Sequence, residues 1–143
     1  MDINNLRITK IKEYLVDVIK SISSITKFKV NANMLSNNIN NYSLDKIPTS
    51  SEVERWITGD IIHRDVYSFR SRMAYSQDMI NNLKNIGFFE TFENKIKSNN
   101  RKGILPNIDE IETIECLNCG TMVSAGTSTA EFDIQIEVKY REV

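Results

Sequence analysis

TAEFDIQIEVKYRE, residues Thr129 to Glu142, carries the clearest periodicity in the chain. Phe132, Ile134, Ile136, Val138 and Tyr140 fall on one side of an extended backbone, and Asp133, Gln135, Glu137, Lys139 and Arg141 on the other. A period of two marks a strand with one face in the core and one face polar. The polar face carries both signs, as strands do where charge sets register against a neighbour. Residues 111–123 read as one further extended segment, joined to this strand by SAGTST. Together they predict a closing hairpin.

Further upstream, residues 53–58 and 61–75 read as two more strands, separated by the breaker Gly59-Asp60. On the longer one, Asp65, Tyr67, Phe69, Ser71 and Met73 share a face, opposite Val66, Ser68, Arg70 and Arg72. Ser76 then suits a helix cap, with Met79, Ile80, Leu83 and Ile86 on one side of the helix. Gly87 interrupts that helix, and Phe88, Phe89, Phe92 and Ile96 continue the apolar stripe as a second helical segment. The exit SNNRKG brings a basic pair to the helix C-terminus, where the dipole favours it.

The N-terminal region repeats the helical signal. Ile8, Ile11, Leu15, Val18, Ile22 and Ile25 are spaced by threes and fours, with Lys10, Lys12, Glu13, Asp17 and Lys20 outside the stripe. Asn4 or Asn5 can cap that helix. In KFKVNANML, Phe28, Val30, Ala32 and Met34 alternate with polar residues as in a half-buried strand. Residues 36–51, SNNINNYSLDKIPTSS, are Asn-rich without periodicity and read as a long surface loop, a kind of segment that often carries function. Strands split by a helical block predict one α+β domain, residues 1–143. Its sheet is mainly antiparallel or mixed, with the N-terminal helix and a central helix pair packed on one face.

Composition narrows the function classes. A chain of 143 residues, 41% hydrophobic and 26% charged, has the make-up of one folded domain. Its net charge of −1 gives no overall pull towards nucleic acid or an anionic membrane, and no sequence readout of nucleic acid is expected. No apolar run approaches the roughly 20 residues of a membrane span, and the N-terminus lacks a signal-peptide core. The two cysteines are expected as reduced thiols in a cytosolic setting.

ECLNCG is the most chemical-looking stretch, with Cys116 and Cys119 in a C-x-x-C. A structural zinc site wants four ligands, and His63 raises the count only to three. Within an extended strand, residues three apart point to opposite faces, so the thiolates would diverge. A redox pair belongs at a helix N-terminus, and GTMVSAGTS does not read as a helix. His63 reads as a strand histidine, and none of the five glycines builds a phosphate-cradling loop. No catalytic, cofactor or metal residue is therefore assigned. The remaining alternatives are a small metal-binding or redox protein using Cys116 and Cys119, and a purely assembly-related role.

The whole layout resembles a known group. An amphipathic helix leads into a strand, then YSFRSRMAYSQDMINNLKNIGFFETFENKIKS, a hairpin, and the terminal TAEFDIQIEVKYRE. This is similar to the tail terminator or minor capsid (tail-completion, neck) proteins of Firmicutes long-tailed bacteriophages. The resemblance spans nearly the whole chain and is most specific in residues 67–92, with Tyr75-Ser76 and Phe88-Phe89, and in the terminal stretch. It implies a non-enzymatic virion protein without cofactor, located at the top of the tail and in the host cytoplasm during assembly. Its implied partners are itself, in a ring that is a hexamer in this group, the tail tube protein, the head–tail connector or neck protein, and the sheath protein in a contractile tail. A head-completion or connector subunit on the portal side is the alternative from the same setting. On this reading Arg70, Arg72, Asp133, Glu137, Lys139 and Arg141 are expected at the subunit contact. Asn37, Asn38, Asn40, Asn41, Tyr42, Asp45 and Lys46 are expected on a loop that meets the tube or the neck.

Overall fold

A computed structural model describes residues 6–22, 29–32, 41–48, 52–55, 57, 59–74, 79–118, 120–125 and 129–142. Among these the chain order is α1 (Arg7–Ile22), β1 (Lys29–Ala32), β2 (Asn41–Ile47), β3 (Glu52–Arg55) and β4 (Ile61–Ala74). There follow α2 (Met79–Lys102), β5 (Ile111–Cys116), β6 (Thr121–Ala125) and β7 (Thr129–Glu142). The architecture is α+β, as the sequence predicts. The sheet runs β1-β2-β4-β7-β5, with β3 also on β4 and β6 also on β7. Only β1 and β2 pair parallel, so the sheet is mixed.

The centre of the sheet is the β4–β7 pair, in antiparallel register from Ile61↔Glu142 to Ala74↔Thr129. Alternation puts Tyr67, Phe69 and Met73 of β4 on one face with Phe132, Ile134, Ile136 and Val138 of β7, and all are buried. Two helices cover that face. From α1 it receives Ile11, Tyr14, Leu15, Val18 and Ile19, and from α2 Phe89, Phe92 and Ile96, at the three-and-four spacing of an apolar stripe. Aromatic rings tie the layers together. Tyr42 of β2 stacks on Phe69 of β4 at 5.3 Å, and Phe69 stacks on Phe92 of α2 at 5.5 Å.

Burial pushes the Tyr42 and Tyr67 hydroxyls well above the ordinary tyrosine range, with Asp65 beside Tyr67 adding to the effect. Both phenols stay neutral in the fold, whereas in the unfolded chain they ionise near pH 10. The folded value is the higher one, so this contribution to stability is complete below pH 10 and is lost as pH rises beyond it. Urea midpoints are therefore expected to fall between pH 9 and pH 11 by more than exposed tyrosines alone would cause. Replacing Tyr67 by Phe should flatten that fall.

Three sequence expectations are corrected. The helical block on either side of Gly87 is one continuous 24-residue helix, not a pair. A lone glycine costs about 1 kcal/mol in a helix interior, which tertiary packing readily offsets. Its end is a Schellman motif: Ile104 N–H donates to Asn99 C=O and Gly103 N–H to Asn100 C=O, with Gly103 at φ 74°. Residues 111–123 are two strands rather than one, both paired to β7, with a break between Cys116 and Thr121. Residues 41–47 of the expected loop form strand β2, paired with β1 on one side and β4 on the other. β7 itself lies in the interior of the sheet, between β4 and β5.

Candidate functional site

The face turned away from the helices is polar and is assembled from four strands. Register places Arg70 beside Asp133 and Ser43, Arg72 beside Glu131 and Asn41, Arg64 beside Lys139, and Glu137 beside Glu115. The six residues expected at a subunit contact thus share one face. Their charges are largely satisfied within the chain. Arg70 Nε lies 2.7 Å from Asp45 Oδ2, and its Nη1 lies 3.5 Å from Glu131 Oε1. Its Nη2 donates to Ser43 Oγ at 3.4 Å, and Ser43 Oγ donates to Asp45 Oδ1 at 3.1 Å. One guanidinium therefore joins β2, β4 and β7.

Glu137 is nearly buried, and its two carboxylate oxygens face Arg64 Nε at 3.2 Å and Lys139 Nζ at 3.5 Å. Asp133 accepts from Ser68 Oγ. Arg141 reaches Glu112 at 3.3 Å and Asp60 at 3.8 Å. Ile62 and Val66 also lie buried in this face, although neither belongs to the core under the helices. The long stems of neighbouring charged side chains cover such residues while their heads reach water. The charges along β7 are therefore matched by partners on β4 and β5 of its own chain. Replacing Arg70 by Ala is expected to lower stability by about 1–2 kcal/mol, because it removes several modest, part-exposed ion pairs and hydrogen bonds at once. Equilibrium denaturation measures this; full stability with weakened self-association would make Arg70 an interface residue instead.

The expected contact loop does not survive as a loop where it is described. Asn37, Asn38 and Asn40 lie outside the described residues. Asn41, Tyr42, Asp45 and Lys46 belong to β2. Tyr42 is fully buried in the core, Asp45 is a partner of Arg70, and Lys46 Nζ lies 3.5 Å from Asp65. Their expected place on a loop is corrected to a strand of the sheet. The alternation of Tyr42 and Leu44 with Ser43 and Asp45 was the available signal, hidden by the flanking asparagines.

On the helix side, a second polar cluster sits at the rim of the core. Asp65 is 4% exposed and faces Arg7 Nε at 3.3 Å as well as Lys46. The Arg7 guanidinium lies 4.7 Å over the Tyr140 ring, and His63 stacks on Tyr140 at 5.4 Å. His63 is thus a strand histidine packed on its cross-strand neighbour. Cys116 ends β5, half-buried against the core, and Cys119 lies outside the described residues. The expectation that the C-x-x-C sits inside one strand is corrected, since β5 stops at Cys116. His63 and Cys116 pair with Tyr140 and Ile136 of β7, four residues apart along that strand and on opposite sides of it. Among the described residues, no three His, Cys, Asp or Glu side chains converge as a metal site would require.

The sequence reading did not single out the exposed apolar residues beside the break. Leu117 is 46% exposed, Met122 48% and Val123 59%. In the break itself, Leu117 N–H donates to Gln135 C=O and Asn118 Oδ1 accepts from Gln135 N–H, both at 2.7 Å. An asparagine side chain thus continues the ladder where the backbone leaves it. No protein-family model matches the chain, and no curated protein matches it.

Proposed function

We propose that this chain is a structural protein of a long-tailed bacteriophage virion, a tail terminator. Its copies form a ring, hexameric by resemblance, that caps the tail tube, ends tube growth and joins the tail to the neck. The observation that supports the reading best is where the resembling stretches fall. Residues 67–92 and 129–142 are far apart in sequence, yet they supply most of β4, the first half of α2 and all of β7. These elements bring Phe69, Phe89, Phe92 and Phe132 into one core. The resemblance is thus seated in the central strand pair and its covering helix, not in an isolated loop. The partners on this reading are further copies of the chain, the tube protein, the neck protein and, in a contractile tail, the sheath.

The test is electron microscopy of particles made by a phage lacking the coding sequence. Loss of a terminator should give tails of abnormal length, or heads and tails that fail to join. Tail-free leaking heads beside normal tails would move the protein to the portal side as a connector. Normal particles would refute a virion role.

A further inference from the structure

The sheet is open, and its outer edges differ. At β5 the edge is closed by α2: Asn100 Nδ2 donates to Ile114 C=O, and Ile114 N–H donates to Asn100 Oδ1 at 3.3 Å. One side-chain amide thus satisfies both backbone groups, as a neighbouring strand would. At β6, further along the same side of β7, only the β7 pairing is present among the described residues. Its sequence TMVSA holds no charge and no proline, the usual guards of a free edge. A register shift falls between Met122 and Ser124, and Met122 and Val123 are both exposed. Unguarded apolar edges of this kind are pairing sites.

The opposite side of the sheet ends in β1, which pairs only with β2 among the described residues. Strand directions make the two edges compatible. β1 runs with β2, and each step from β2 to β4, β7 and β6 reverses direction, so β6 runs opposite to β1. A second copy in the same orientation, laid alongside, therefore brings its β1 antiparallel to β6, the stronger pairing mode. Charge agrees with this. The segment around β1, KFKVNAN, has two lysines and no acid. Lys29 and Asn31 hold the register positions paired with Asn41 and Ser43. On β7, Glu131 and Asp133 stand in register with Ser124 and Thr121 of β6. Glu131 shares Arg70 with Asp45, and Asp133 accepts from Ser68, so acids outnumber the one guanidinium they share.

We propose that copies of this chain join head to tail by antiparallel pairing of β1 of one copy with β6 of the next. The proposal rests on the ring reading for its head-to-tail symmetry and names the edges that make the joint. Such a contact uses different surfaces on its two sides and closes only when the rotation per subunit divides the circle.

The test uses two edge variants, Val123→Lys on β6 and Lys29→Glu/Asn31→Glu on β1, with folding followed by circular dichroism. Each is expected to raise the dissociation constant for self-association roughly tenfold or more, as sedimentation velocity reads it. An equimolar mixture should then form dimers and nothing larger, because each variant keeps the edge that the other lacks. Association of the β1 variant at wild-type strength would overturn the pairing, as would a wild-type oligomer indifferent to Val123→Lys. A wild-type chain that stays monomeric at all concentrations would overturn both the joint and the ring.

Discussion

Replacing Phe92 by Ala is expected to lower the stability of the fold by about 3–5 kcal/mol, a large share of the roughly 5–15 kcal/mol that holds a domain together. Phe92 is fully buried on α2, 5.5 Å from Phe69 and 6.2 Å from Phe88. Through Phe69 it reaches Tyr42, so one stack spans the helix, β4 and β2. The truncation removes a ring's worth of apolar burial, leaves a cavity, and ends an aromatic contact worth about 0.5–1.5 kcal/mol beyond its area. Phe88 is only half-buried, and its replacement by Ala should cost clearly less. Urea denaturation of both variants, with m values compared, separates loss of packing from a change in the denatured state. Equal costs at the two positions would contradict the stack as the joint of the layers.

The second large effect is expected at Gly120, between the C-x-x-C and β6. A Cβ built there would lie 2.6 Å from Phe89 Cγ and 2.7 and 2.8 Å from its two Cδ atoms. The Phe89 ring cannot swing away, since it is 2% exposed and packs on Phe132 at 5.1 Å. Gly120→Val should therefore cost about 1–3 kcal/mol through overpacking, and Gly120→Ala somewhat less. Gly87 is the contrast. It sits in α2 with nothing within 4 Å of its Cβ position, and Gly87→Ala should stabilise the helix by about 0.5–1 kcal/mol. Thermal melts of the two alanine variants are expected to move in opposite directions. A neutral Gly120→Val would mean that the break and the Phe89 ring are not in tight contact.

These positions show what the sequence made legible. The period of two in residues 129–142 and the period of 3.6 in α1 and α2 are properties of single segments. They can be read without knowing what packs on them. β2 failed that reading because the asparagines around it and its lysine outweigh two inward residues, Tyr42 and Leu44. Its burial comes from having a strand on each side, which no local propensity records. The same holds for β7, whose charged face looked like a surface awaiting a neighbour. The neighbours are Arg64, Arg70 and Glu112 of its own chain, brought to it across dozens of residues. The exposure of Leu117, Met122 and Val123 carried no signal either, since an apolar residue in an extended segment normally reads as core.

The proposed function rests on assembly, so the decisive observation is one of place. The measurement is an electron micrograph of intact virions whose copy of this chain carries a visible C-terminal or antibody label. A tail terminator predicts label confined to one ring where the tail meets the neck. Label spread along the tail, held in the head shell, or absent from the particle would contradict the account.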